Sequence, residues 1–535
     1  MDFLKRHSFF IFLFLTIILG TIIFSPYANF QDLLAQGDHG RELYAAQAVL
    51  RGEIPYKDFF WFYGPLMPYY YAVFFKLFGT QITSILLGKM VLNIACGTLC
   101  FLAVCEIFSP AAAFAASLWW MCFQQDFFFT YDHVGGVTLI LAGIWMHFAY
   151  IRHSRIGSAY AALGLVFLLG LVKINFGVIA LLMTILIVNV FDRVRPVPFN
   201  KAKRSFYITA LSVPLAWLAI YRWMTYGLTV REIRECLPYL PGDEPNNHFS
   251  FIQTIPMLYH QYLHQIHLAP VLYAVALIIF ICLLRDVQLF LVKKNDSPKK
   301  IQELFLIIYA ALFYFLNLNE YLVSGVYYRS FWAQPPGILL CAFIIIIALN
   351  KSSLFLKRAL WTFFVIICLF NIKQNLNEIN AFKTPEHFLG LPKAHVYIGN
   401  DPDWIQTVEQ TTLFINRTLA KEDLFFALPC DGLYYFLTNK RSPTRQLIFF
   451  QHIKIPAEQE QRIIAELKKN QIKMVLLSSR QSTPEPGRGT FGKTYCPGLY
   501  NFIKNNFYPV AQFGEWTKPA GWIINHGTML LKLKD

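Results

Sequence analysis

Apolar runs of about 17–25 residues, long enough to cross about 30 Å of hydrocarbon as helices, recur through the first 371 residues. They lie near 8–25, 84–107, 111–128, 133–150, 157–172, 174–191, 206–224, 266–291, 302–318, 332–350 and 354–371. Short polar segments separate them, so the pattern predicts a polytopic α-helical membrane protein with about 11 transmembrane helices. From residue 372 the period changes. The apolar runs shorten to strand length at Asp423–Leu428 and Ile472–Leu477, with helical patterns at Asp403–Leu419 and Ala457–Asn470. That alternation predicts a C-terminal α/β domain of about 160 residues over 372–535.

Composition agrees with the pattern. The chain is 56% hydrophobic, above the roughly 45–50% of soluble domains, and its mean hydropathy is +0.42. The formal charge of +15 would suit a nucleic-acid partner, but its placement argues for none. Lys5 and Arg6 precede the first span, and Arg152 and Arg155 share a short loop. Arg193, Arg195, Lys201, Lys203 and Arg204 fill the next loop on that side, then Lys293, Lys294, Lys299 and Lys300, then Lys351, Lys357 and Arg358. In an 11-span chain all of these fall on one side, which the positive-inside rule makes cytoplasmic. The expected topology is therefore a multi-pass inner (plasma) membrane protein of a bacterium, with a cytoplasmic N-terminus held by an uncleaved signal anchor and a periplasmic tail. The loop 26–83, the turns near Asp132, Lys173 and Arg329, the loop 225–265 and the tail would share the outer side. The ten cysteines show no paired C-x-x-C spacing, which speaks against a metal knuckle or disulfide framework. Cys430 and Cys496 are the tail pair that an oxidising compartment could join.

One polar stretch interrupts the apolar series. Residues 37–79 hold Asp38, His39, Arg41, Glu42, Arg51, Glu53, Lys57 and Asp58 among aromatics. Ionisable groups this dense belong at a membrane face and not in hydrocarbon. Arg41–Arg51 reads as a short helix that Asp38 is placed to cap. Gly52, Pro55 and Gly64-Pro65 punctuate the residues after that helix, and the aromatics from Phe59 to Tyr71 suit an interfacial belt.

The order D-x-G-R, a helical dozen, G-x-x-P-Y-x-D-F, P-L-x-Y-Y and F-K-L-F-G resembles the first exoplasmic loop of GT-C glycosyltransferases. The likeness is greatest to the bacterial family 39 group, related to protein O-mannosyltransferases and lipid A aminoarabinose transferases. It continues collinearly, more weakly, to about residue 371. His39 stands where an acidic residue is common, and Tyr63-Gly64-Pro65 replaces the usual Lys-Pro-Pro, which leaves open the role the family gives that lysine. The resemblance implies a GT-C membrane module over residues 1–371, a sugar donor carried on polyprenyl phosphate, and the matching aspartate, Asp38, as general base.

Each candidate residue has two readings. Asp38 is a carboxylate that could take a proton from an acceptor hydroxyl, or the cap of its helix. Asp132 and His133 open a span, where they could contact substrate from an aqueous cavity or cap the helix; the resemblance places an acidic residue there. Lys173, between two spans, could snorkel to the surface or point at a phosphate. Arg329 is a single cation among aromatics at a span start, suited to bidentate phosphate contact or to interfacial anchoring. The resemblance includes an Arg or His before a Pro at that helix start. His39 and Asp58 complete the substrate-facing set, with Lys57 and Asp58 also able to form a plain surface ion pair. Glu320 could orient Arg329 or be solvated. A divalent metal would need converging carboxylates; Asp38, Asp58, Asp132 and Glu320 are the outer-side candidates, without D-x-D spacing, so metal dependence stays open and no other cofactor is indicated. Nucleotide-binding loops and nucleophile elbows are absent from the sequence.

These readings converge on an inverting membrane glycosyltransferase, passing a hexosyl or pentosyl group from polyprenyl phosphate to a periplasmic glycolipid, envelope glycan or protein. The alternatives are a transporter or flippase of a lipid-linked or anionic substrate, which would place polar breaks at mid-membrane in two matching halves, and a scaffold whose tail binds a partner.

Overall fold

The computed structural model describes residues 2–25, 30–31, 33–123, 131–194, 201–236, 298–320, 327–350, 353–483, 488–518, 520–521 and 526–534. Among these, helices stand at ten of the eleven expected spans: α1 (Asp2–Phe24), α4 (Ile82–Cys105), α5 (Pro110–Phe123), α6 (Asp132–His153), α7 (Ile156–Gly170), α8 (Ile174–Val194), α9 (Lys201–Met224), α11 (Pro298–Asn317), α12 (Gln334–Asn350) and α13 (Leu354–Ala381). The span expected at 266–291 lies outside the described residues. Among the described residues, five stretches are long and apolar enough to cross a membrane: His7–Phe24, Ile82–Cys105, Asp132–His153, Arg329–Ile347 and Leu354–Gln374. Large apolar side chains such as Leu211, Leu218, Phe355 and Phe370 are exposed on the helices, a surface that only a lipid-like medium would cover favourably. The protein is thus a polytopic helical membrane protein with a small C-terminal sheet region. Helix α13 continues ten residues past the expected boundary at 371.

The 33–81 segment folds as two helices, α2 (Asp38–Leu50) and α3 (Leu66–Phe78), and a short helix, α10 (Val230–Cys236), follows α9. Helix α2 is buried along almost its whole length, unlike a helix lying on a membrane surface. Helix α3 covers part of it and the tail covers another part. There, β2 (Phe388–Leu391) and β3 (Ala394–Ile398) pair antiparallel, and β1 (Phe30–Gln31), from the first loop, adds to β3 in parallel. A second sheet has the order β4-β5-β7-β6, built from β4 (Phe425–Leu428), β5 (Met474–Ser478), β6 (Phe507–Gly514) and β7 (Gly527–Leu533), with β4 and β5 parallel. Helices α14 (Pro402–Thr418), α15 (Gly432–Thr438), α16 (Ala457–Lys469) and α17 (Pro497–Asn506) complete the tail. Cys430 and Cys496 are separate free thiols.

Helix α15 packs directly on α2. A Cβ at Gly40 would come within 2.6 Å of the Leu433 backbone nitrogen, so glycine is what allows the two helices to meet. Asn400 Oδ1 accepts from the Leu34 N–H at 2.8 Å, and Trp404 Nε1 donates to Gln36 Oε1 at 2.9 Å. Below them the loop before α3 is stitched to the α7–α8 turn. The Gly64 N–H donates to the Val172 carbonyl at 2.8 Å and that of Leu66 to the Leu171 carbonyl at 2.9 Å. First loop, tail and the α7–α8 turn therefore meet at one end of the bundle.

Candidate active site

Asp38 begins α2 and is buried, yet it does not cap the helix. Gly37 is the N-cap residue, and Asp38 Oδ1 instead accepts from Arg41 Nη2 at 3.0 Å. Arg41 is 1% exposed, and its guanidinium lies 4.2 Å from the Phe62 ring centroid and 5.6 Å from that of Tyr63. Burial opposes its charge, but Asp38, Tyr63 and Cys430 outweigh that and hold its pKa above the ordinary value. Its Nε and Nη1 have no hydrogen-bond partner among the described residues. A cation with one edge committed to a carboxylate and another edge open can hold an oxyanion beside that carboxylate.

The next residue performs the capping expected of Asp132. Glu42 accepts from the Tyr131 N–H at 2.8 Å and the Asp132 N–H at 3.3 Å, meeting two of the orphan donors at the start of α6. Asp132, 2% exposed, keeps its side chain for other use, and its Oδ2 is without a partner among the described residues. Burial first, and the neighbouring Asp132 charge second, push the Glu42 carboxyl well above its ordinary range. His39 is fully buried; its Nδ1 accepts from the Ala35 N–H at 3.0 Å, and its ring stacks on Tyr131 at 4.3 Å.

The cations come from the other side of Tyr63. Lys173, 6% exposed, pairs with Glu320 and lies 5.4 Å from the Tyr63 ring centroid and 5.5 Å from that of Trp332. Glu320 thus orients Lys173, a partner that the sequence did not point to. Burial lowers the Lys173 pKa, Glu320 holds it up, and Arg329 lowers it further. Arg329 sits in a 3₁₀ turn, Tyr327–Ala333, leading into α12, close enough for its charge to act on Lys173 and Tyr63. His133 packs against Tyr63 at 5.3 Å, Phe331 at 4.8 Å and Trp332 at 5.1 Å. Buried and paired with Glu320, Lys173 does not read as a snorkelling anchor.

Tyr63 is therefore the meeting point. Its ring touches the Arg41, Lys173 and His133 side chains. Burial raises its hydroxyl well above the ordinary value, with Arg41 opposing and Asp38 and Glu42 adding to the rise. A neutral phenol here can donate to a phosphate oxygen without adding charge. Asp58 stands apart: exposed, it accepts from the Ile54 N–H at 2.7 Å and forms no ion pair with Lys57 or Arg41. Among the described residues no group of three or more His, Cys, Asp or Glu side chains is placed to hold a metal ion.

No family model matches the chain, and no curated protein does. Solved structures do. The chain is similar to ArnT from Cupriavidus metallidurans, in its apo state and bound to undecaprenyl phosphate, at TM-score 0.55 and 11% identity over 97% of both chains. It also resembles an oligosaccharyltransferase from Archaeoglobus fulgidus at TM-score 0.51 and 11% identity, over 90% of this chain and 71% of that one. The chain has the GT-C fold.

Within this GT-C fold, the site brings together Asp38, His39, Asp132, His133, Lys173 and Arg329, and leaves out Asp58. Sequence reasoning gave no role to Glu42, Tyr63, Phe331 or Trp332. Glu42 carried a signal, an acid one turn into α2, but its partner Tyr131 lies 89 residues away. Arg41 lay within the D-x-G-R pattern, three residues after Asp38, a spacing that puts both on one helix face.

Proposed function

We propose that the protein is a membrane glycosyltransferase that moves a sugar from a polyprenyl phosphate to an acceptor outside the cytoplasm, a glycolipid, envelope glycan or protein. The reading rests above all on one arrangement. A buried carboxylate, Asp38, and two cations from distant helix junctions, Lys173 and Arg329, gather around Tyr63 in a fold shared with a protein that binds undecaprenyl phosphate.

In this reading the donor phosphate lies against Arg329, Lys173 and the Tyr63 hydroxyl. As the bond from the anomeric carbon to the phosphate oxygen breaks, negative charge grows on that oxygen. Two fixed cations in a water-poor pocket stabilise it without having to reorganise. The acceptor hydroxyl or amine attacks the opposite face of the anomeric carbon, forms the new bond and gives its proton to Asp38. One displacement of this kind inverts the anomeric centre. Arg41 holds Asp38 in place, while Asp132 and His133 are positioned to contact the sugar. The basic loops would face the cytoplasm and the tail would wall the site on the outer side.

The test compares the masses of envelope glycans, glycolipids and secreted proteins from cells carrying the wild type, a deletion or Asp38→Asn. A modification present in the wild type should be missing from the deletion, and from Asp38→Asn at normal protein level. Full modification in the Asp38→Asn strain would remove Asp38 as the base, and a deletion that changes no glycan would remove the function.

A further inference from the structure

Lys89 lies seven residues into α4, about 10 Å below its outer start at 1.5 Å per residue, within a stretch apolar enough to cross a membrane. It is 8% exposed, so it does not reach lipid headgroups by snorkelling along the protein surface. Its ammonium rests 5.7 Å from the Tyr131 ring centroid, and it makes no ion pair or hydrogen bond among the described residues. One turn further along the same face, Asn93 is 4% exposed, with a buried Oδ1 that has no partner among the described residues. The fully buried Tyr131 has a hydroxyl likewise unpartnered among them. An ammonium, a carbonyl oxygen and a phenol without partners among the described residues, close together in a membrane helix bundle, are costly unless something else completes them.

The cluster adjoins the site already described without belonging to it. Tyr131 stacks on His39, the neighbour of Asp38, and α4 and α6 run side by side with Cys96 Sγ 3.1 Å from Thr138 Oγ1. Lys173, by contrast, lies over Tyr63 and Trp332. We propose that Lys89, Asn93 and Tyr131 form a second anion subsite, which takes the phosphate of a membrane lipid headgroup on the His39 side of Asp38. Lys89 and the Tyr131 hydroxyl donate to phosphate oxygens, and the Asn93 carbonyl accepts from a sugar or phosphate hydroxyl. Two lipids could bring that chemistry: the polyprenyl phosphate carrier, or a phosphorylated glycolipid acting as acceptor. The choice between them rests on the glycosyl-transfer reading; the subsite itself does not.

The full-length protein in phosphatidylcholine nanodiscs, its lysines reductively methylated with ¹³C, supplies a direct readout of Lys89, assigned by the signal lost in Lys89→Arg. Undecaprenyl phosphate and diphosphoryl lipid A are titrated separately. The expected result is that one probe moves the Lys89 methyl signal and that Lys89→Met weakens binding of that probe about tenfold; which probe does so identifies the source. If neither probe moves the signal in the wild type, the subsite does not exist. That measurement holds even if the methionine variant fails to fold. Because binding and not transfer is read, failure here leaves the enzymatic proposal standing, and loss of the enzymatic proposal leaves a phosphate-binding Lys89 intact.

Discussion

Asp38 and Lys173 approach the same tyrosine, yet differently built regions present them. Asp38 rides on α2, and α2 is held by the tail: Leu433 packs on Gly40, the Cys430 thiol faces the Gly37 carbonyl, and Gln36 donates to an Asp431 that also pairs with Arg480. Lys173 occupies a turn between two membrane helices, fixed by Glu320 and the aromatics Phe176 and Trp332. The acid depends on the tail and the cation on the helical bundle. Disturbing the tail should therefore cost acid chemistry first and carrier binding last.

The largest effect should come from the acid itself. Asp38→Asn should lower turnover about 10²–10⁴-fold, the range for loss of a positioned general base, with undecaprenyl phosphate affinity within about twofold of wild type; a matching fall in affinity would mean that the two regions are not separable. Next comes Gly40→Leu, which drives a side chain into the Leu433 backbone. Overpacking of this kind typically costs about 1–3 kcal/mol, so the tail should become more sensitive to protease and turnover should fall with it. Carrier binding measured on the same sample should persist, and its loss would break the comparison. The reverse experiment replaces Lys173 by Met together with Glu320→Gln, so that no buried carboxylate is stranded. A hydrogen bond to a charged group contributes about 1.5–3 kcal/mol, which predicts carrier binding weakened tenfold or more while the protease pattern of the tail stays unchanged.

The smallest effect is a pH dependence. The folded Glu42 carboxyl titrates well above its ordinary 4.5, because burial and Asp132 disfavour its charge. A raised folded value means that its contribution to stability is fully present below 4.5 and is lost as pH climbs through the folded value. Glu42→Gln, which cannot ionise, should flatten thermal stability against pH above 4.5 in detergent. A curve unchanged from the wild type would show that Glu42 is not the group responsible.

Much of this was legible in the chain. Spans were readable because hydrocarbon imposes a length and forbids charge, and the tail because β4, β5, α14 and α16 carry ordinary strand and helix periods. The burial of α2 was not legible. Its own pattern is that of a polar helix at an interface, and part of its cover comes from the tail, hundreds of residues later. Asp38 looked like a cap because capping is a local rule; the cap of α6 came from Glu42, a long-range contact that no local rule predicts. Lys173 was readable as a charge in the wrong medium, but its pairing with Glu320 depends on how α8 and α11 are placed.

Strand β1 pairs with β3, so Phe30 finds its partner in Tyr397. During synthesis the first loop must wait for hundreds of further residues before its neighbour leaves the ribosome. A chain released early, after α13 but before Ile398, would carry every described helix of the bundle, α3 on α2 included, and yet lack the tail helix α15 that packs on Gly40.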